Sequence, residues 1–199
     1  FSDANIEKAL LDIDMPLTDG LIKTNEKIYD ALMLGRSYEE NISSVDGKRS
    51  FNINYIDFEN PENNVFHAIE EFSVETEIGQ STARPDIVLF VNGIPFAVIE
   101  CKKASISTQQ GISQMIRNQG QDYTPNLFKF IQIVMSTNKN ETKYATVGTP
   151  LKFWSIWKED QSTEGYTWFH NELEKVVNDR IPTIQDKNIV SIFHPQRAV

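Results

Sequence analysis

Two apolar runs separated by four residues constrain the centre of any fold this chain adopts. Ile87-Val88-Leu89-Phe90-Val91 and Phe96-Ala97-Val98-Ile99 are apolar at successive positions. A strand with that pattern is covered on both faces, so it belongs in the middle of a sheet. The short Asn92-Gly93-Ile94 connection predicts a hairpin between them. With a three-residue loop over 92–94, Val91 faces Pro95, and counting outward sets Asp86 directly opposite Glu100 on one face. A two-residue Asn92-Gly93 turn would pair Asp86 with Ile99 and turn Glu100 to the other face, unless a bulge corrected the register.

The flanking segments predict the layers that cover this hairpin. Ile6, Ala9, Leu10 and Ile13 recur at helical spacing, as do Ile28, Ala31 and Leu32 within 25–34. The period then changes to two over 51–55 and 72–76, with the turn cluster Asn60-Pro61-Glu62-Asn63-Asn64 between them. Residues 107–123 predict a helix ended by Pro125, residues 131–135 and 151–157 two more strands, and residues 171–181 a last helix. This order implies an α/β fold, one mixed sheet flanked by helices. We expect a core with an N-terminal helical segment over 1–160 and a C-terminal helical extension over 161–199.

The sharpest chemical signal is Pro85-Asp86 followed by Glu100-Cys101-Lys102. Residues two apart on a strand share a face, so Glu100 and Lys102 project together, while Cys101 points away as a small buried hydrophobe. In the register above, the β-carbons of Asp86 and Glu100 come within about 5 Å of each other. Two such anions repel and lose hydration, and a divalent cation relieves both costs. Mg²⁺ suits them, because it takes one or two protein carboxylates and keeps its remaining places for water and substrate phosphate. Such an ion activates water and polarises a phosphoryl oxygen, and Lys102 would orient or deprotonate the attacking water. The plain alternative is a solvated Glu-Lys pair at a sheet end with Asp86 capping a strand. A Glu-x-Lys triple has no value as a motif without its context.

The helix after this segment carries a second feature. Ile112, Met115, Ile116, Gln119 and Tyr123 form one inward stripe, so the Gln119 amide needs partners. If the helix persists past Gly120, Gln119 and Tyr123 reach the carboxylates. If it frays there, Gln119 sits in water.

Charge is unevenly spread. The chain carries −9 overall. Residues 101–158 hold 8 Lys/Arg against Asp122 and Glu141 alone, whereas residues 1–100 hold 7 against 19 Asp/Glu. A basic middle third can seat a phosphate backbone, although uneven composition without a partner is an equal reading. His67, His170 and His194 lack metal-ligand spacing. Trp154 and Trp157 read as core before they read as base-stacking groups. A single cysteine excludes an internal disulfide and fits a cytoplasmic setting, and no run is long enough for a membrane span. The first residue is Phe1, which leads us to expect a fragment or a trimmed chain.

The segments Arg84 to Pro95 and Val98 to Lys102 resemble the nuclease segment of the type I restriction enzyme R subunit, a PD-(D/E)XK nuclease. Gln119-x-x-x-Tyr123 resembles the Q-x-x-x-Y element of the RecB-like branch. Asp57 to Pro61 with Asn64, Thr137-Asn138 leading to Tyr144, and Ile192 to Arg197 are similar to that subunit as well. The resemblance implies a restriction-endonuclease-like fold and a type I site-specific deoxyribonuclease acting on double-stranded DNA. It implies Asp86 and Glu100 as metal ligands for Mg²⁺, with Mn²⁺ as a substitute, Lys102 as the catalytic lysine, and Gln119 and Tyr123 as supporting catalytic residues. Glu7 matches an acidic position that some relatives use as a further metal contact and is carried as a candidate. The implied partners are methyltransferase and specificity subunits, with no membrane. No phosphate-loop motif is present, so ATP would serve only motor domains outside this chain. The rival readings are a free-standing repair or recombination nuclease of the same fold and a non-catalytic docking module that retains it.

Overall fold

In the computed structural model, residues 1–41, 47–79 and 81–157 are described. The two apolar runs form β6 (Ile87–Val91) and β7 (Ile94–Cys101), the antiparallel centre of a six-stranded sheet. On one side β6 pairs with the edge strand β3 (Phe66–Glu70), and on the other β7 runs parallel to β8 (Ile133–Thr137). Antiparallel β9 (Thr142–Ala145) and the two-residue β10 (Ser155–Ile156) complete it. One parallel pair among antiparallel ones makes this a mixed sheet, as expected. Among the described residues the remaining strands form two ribbons, β1 (Arg36–Asn41) with β2 (Lys48–Ile53), and β4 (Val74–Glu75) with β5 (Thr82–Ala83).

The hairpin departs from the expected loop. Val91 faces Ile94 across a two-residue turn, with Asn92 and Gly93 both at positive φ (53° and 81°). That is the turn whose twist matches paired strands, and Asn-Gly is the dipeptide that tolerates it. A bulge then intervenes. Phe90 pairs with Pro95 but Leu89 pairs with Ala97, so Phe96 is the extra residue and the register shifts by one. Beyond it Val88 faces Val98 and Ile87 faces Ile99. The next step outward sets Asp86 against Glu100, the juxtaposition that the sequence predicted through a different loop.

Helices flank the sheet in two packed groups. Val88, Phe90, Val98 and Val134 meet Ile112 and Met115 of α3 (Thr108–Asn118) and Leu127 and Phe128 of α4 (Pro125–Phe128). The second core gathers Ala9 and Ile13 of α1 (Asp3–Ile13) and Ile28, Ala31 and Leu32 of α2 (Leu21–Leu34) around Tyr38, Tyr55 and Ile56. Val91, Ile94 and Phe96 at the hairpin tip pack against it. Of the predicted first stripe, Ala9 and Ile13 are buried, whereas Ile6 and Leu10 are exposed.

Other elements also differ from the pattern reading. The β3 strand was not anticipated, because as an edge its residues are all exposed and lack a clean alternation. Residues 151–157 were expected as one strand. They instead form a turn of 3-10 helix over Leu151–Phe153 before β10, since Pro150 opens a helical turn more readily than a strand. No helix among the described residues is long and apolar enough to cross a membrane. The expected helix at 171–181 and the boundary at 160 lie outside the described residues.

Candidate active site

The sheet face beneath α3 changes character one row from its end. Val88, Val98, Val134 and Ala145 lie side by side across four strands. The next row along the same face is Asp86, Glu100, Ser136 and Lys143, with Glu100 facing Ser136 and Ser136 facing Lys143. Two residues along a strand return to the same face, so the apolar row that anchors the core also aims the polar row.

Asp86 lies just before β6, and its carboxylate folds back onto the neighbouring strand. Oδ2 accepts the backbone N–H of Cys101 at 2.7 Å, and its main-chain carbonyl accepts Glu71 N–H at 3.0 Å. Glu100 is 2 % exposed. Burial pushes its carboxyl above the ordinary value, Lys102 opposes that shift through a hydrogen bond, and the charge of Asp86 reinforces it. Lys102 Nζ donates to Glu100 Oε1 at 2.6 Å and to Gln114 Oε1 at 3.1 Å. An ammonium has three protons, so one stays available after those two contacts.

The helix α3 closes the site from above. A β-carbon on Gly111 would overlap Ser136 Oγ and sit 3.3 Å from Glu100 Cγ, so only glycine lets the helix come this close. Ser136 Oγ donates to Thr108 O at 2.9 Å, and the Thr108 hydroxyl donates to Glu141. Asn138 fastens the loop between β7 and α3, donating to Ile106 O at 2.8 Å while its Oδ1 accepts Asn140 N–H and Glu141 N–H. Lys102 N–H reaches Thr137 O at 2.7 Å. The Thr137-Asn138 pair thus holds the segment that carries Lys102.

Not every candidate residue joins this group. Asp86, Glu100 and Lys102 come together. Gln119 caps the C-terminus of α3, where Nε2 donates to Met115 O at 3.3 Å and Oε1 accepts Gly148 N–H at 2.7 Å. Its amide is satisfied without either carboxylate, because the helix ends at Asn118 rather than running to Tyr123. The Tyr123 ring lies against the Arg117 guanidinium at 5.4 Å. Glu7 is exposed on α1, and no described hydrogen bond or ion pair ties it to the site. Cys101 is exposed beside the site rather than buried, and desolvation and the nearby carboxylates push its thiol up to about 11.

Gln114 was not singled out from the sequence. It stands on the flank of the α3 apolar stripe, and nothing in the pattern separates it from Gln109 or Gln110. The available signal was spacing: it falls one helical turn after Gly111, the residue packed on Glu100.

Among the described residues no cluster of three or more His, Cys, Asp or Glu side chains could hold a metal ion. The donors that converge are two carboxylates, hard oxygen ligands of the number Mg²⁺ takes from a protein. With one oxygen of each engaged, by Cys101 N–H and by Lys102, the pair retains two further oxygens.

The chain is similar to the putative type I restriction enzyme MjaVIIP endonuclease subunit of Methanocaldococcus jannaschii, 32% identical over 148 residues. That match takes in 72% of this chain and 13% of the relative. It is also similar to the type I restriction enzyme EcoprrI endonuclease subunit of Escherichia coli, 28% identical over 134 residues, 66% of this chain and 39% of the relative. The chain therefore spans well under half the length of these relatives. Residues 3–153 match the family model of the type I restriction enzyme R protein N terminus, and the chain belongs to that family.

Proposed function

We propose that this chain is the nuclease domain of a type I restriction system and hydrolyses phosphodiester bonds of double-stranded DNA with the help of a divalent metal. The observation that carries the reading is the bulge-corrected register. It brings Asp86 against the buried Glu100 and leaves Lys102 bonded to that carboxylate at 2.6 Å. A buried carboxylate raised in pKa beside a second acid is costly to the apo fold, a cost typical of functional sites.

Bound between Asp86 and Glu100, Mg²⁺ would supply charge neutralisation, polarisation of the phosphoryl oxygen and activation of water. The protein's own groups do the rest. Asp86 is fixed by Cys101 N–H, and Glu100 by Lys102 and the close approach of Gly111. Lys102, held between Glu100 and Gln114, directs its remaining proton toward the attacking water or a scissile phosphate oxygen. A cation that already donates to two acceptors serves orientation and charge stabilisation better than proton abstraction. Gln119 and Tyr123 support the reaction at a distance in this reading, by fixing the C-terminal end of α3. The partners we propose are duplex DNA and, in the full assembly, methyltransferase and specificity subunits. ATP would be handled by parts of the relatives that this chain does not span.

Calorimetric titration with Mg²⁺ or Mn²⁺ tests the site. The wild-type chain should bind one ion, and Asp86→Ala should weaken binding by tenfold or more, about 1.4 kcal/mol or above. Equal binding by the two proteins would overturn the assignment.

A further inference from the structure

Beside the catalytic group runs an open cleft of about 920 Å³, bounded by the loop after β7 and by the outer side of α3. Its lining includes Lys102, Lys103, Gln110, Ser113, Gln114 and Arg117, and no acidic residue. The helix is divided cleanly. Thr108, Gly111, Ile112 and Met115 recur at i, i+3, i+4 and i+7 on the buried side, and Gln110, Ser113, Gln114 and Arg117 repeat that spacing on the cleft side. An ordinary solvated face of a protein carrying −9 would mix both signs of charge. This one carries amides, a hydroxyl and cations.

Two of those cations lack a counter-charge. Among the described residues Lys103 and Arg117 form no ion pair, whereas Lys102 is engaged with Glu100. Arg117 is nonetheless held in place, its guanidinium 5.4 Å from the Tyr123 ring and its Nη2 3.4 Å from Asn118 Oδ1. A stacked guanidinium keeps its edge donors for an anion. From Gln110 to Arg117 the helix rises about 10 Å. One strand of duplex DNA presents a phosphate about every 3.4 Å along its axis, so the stripe spans about three phosphates.

We propose that this cleft seats the backbone of the DNA strand being cut, with Lys103 and Arg117 each holding a phosphate that flanks the scissile one and Tyr123 orienting Arg117. The inference rests on the nuclease reading and adds to it the residues that set the path of the strand. Lys102 joins the two sites, since it lines the cleft and bonds to Glu100. Uncharged amide and hydroxyl donors between the cations suit phosphate and sugar oxygens, so the contact positions the strand without reading its bases.

The test is binding of a fluorescent duplex to the 199-residue chain with Ca²⁺ present, followed across a range of salt concentrations. Lys103→Glu combined with Arg117→Glu should weaken binding at least tenfold at low salt. It should also flatten the dependence of log affinity on log salt by about 0.9 per lost contact. The milder Lys103→Gln/Arg117→Gln pair should flatten the slope equally, and circular dichroism reports whether both remain folded. Lys139→Glu, outside the cleft, should bind as wild type does. Three results of the duplex titrations overturn the proposal: unchanged affinity and slope in both double variants, an equal loss in Lys139→Glu, or no duplex binding by the wild-type chain at low salt. Failure here is separable from failure of the nuclease reading, because metal binding and its loss in Asp86→Ala do not depend on the cleft. Tight binding of free inorganic phosphate that outcompetes the duplex would also overturn it.

Discussion

Glu100 concentrates the conflict between stability and chemistry in a single residue. Its carboxyl is raised from the ordinary value of 4.5, first by burial, then by Asp86, against the pull of Lys102. A group whose folded value lies above its unfolded value is ionised at a cost to the fold at neutral pH. As pH falls through the folded value toward 4.5 that cost disappears, because the folded chain takes up the proton first. Removing the ionisable group should therefore help the metal-free fold. Glu100→Gln is expected to melt higher than wild type in EDTA at pH 7, and the difference should shrink as the pH is lowered to 4.5. Added Mg²⁺ should reverse the order, since only the wild type keeps both of the proposed acidic ligands and would gain stability by binding. A lower melting temperature for the variant in EDTA would show that the ion pair with Lys102 outweighs burial.

At the scale of elements, the site depends on how closely α3 lies on the end of β7 and β8. Gly111 permits the approach, and Ser136 and Thr108 bond across it. Gly111→Ala gains about 1 kcal/mol in helix propensity. Against that, the new methyl overlaps Ser136 Oγ and presses on Glu100 Cγ, where overpacking costs about 1–3 kcal/mol. We expect net destabilisation and a larger loss of cleavage, because the displaced residue is the proposed metal ligand and the acceptor of Lys102. Adding Ser136→Ala should recover part of the melting temperature of Gly111→Ala, which a double-mutant cycle would register as coupling. Strict additivity would mean that the two residues do not press on each other. The hairpin shows the same dependence on local geometry. Asn92-Gly93 sets a two-residue turn, and the Phe96 bulge then restores the register that this turn alone would have lost.

For the whole molecule, the proposed chemistry occupies one end of a six-stranded sheet among the described residues, in a chain that spans 13% of one longer relative. Lys102→Ala in a reconstituted restriction complex should abolish DNA cleavage while ATP hydrolysis and translocation stay near wild type. The fold should survive, since Phe96 to Ile99 and the core beneath α3 are untouched. Wild-type cleavage by the folded variant would refute the role given to this lysine. The sequence alone determined the central hairpin, the mixed α/β architecture, and the face shared by Glu100 and Lys102, because these follow from apolar runs and a strand period of two. It also indicated a basic middle third, but charge counts have no direction. Only the tertiary structure separated Lys103 and Arg117, which share a cleft, from Lys139, which lies elsewhere. It also decided that Gln114 bonds to Lys102 while Gln119 bonds to Gly148. Both glutamines sit on one amphipathic segment, and the partner of Gln119, the Gly148 N–H, lies 29 positions along the chain, where no local pattern can bring it into view. The bulge at Phe96 was likewise invisible, because an inserted residue in an unbroken apolar run leaves no mark until its partners across two strands are known.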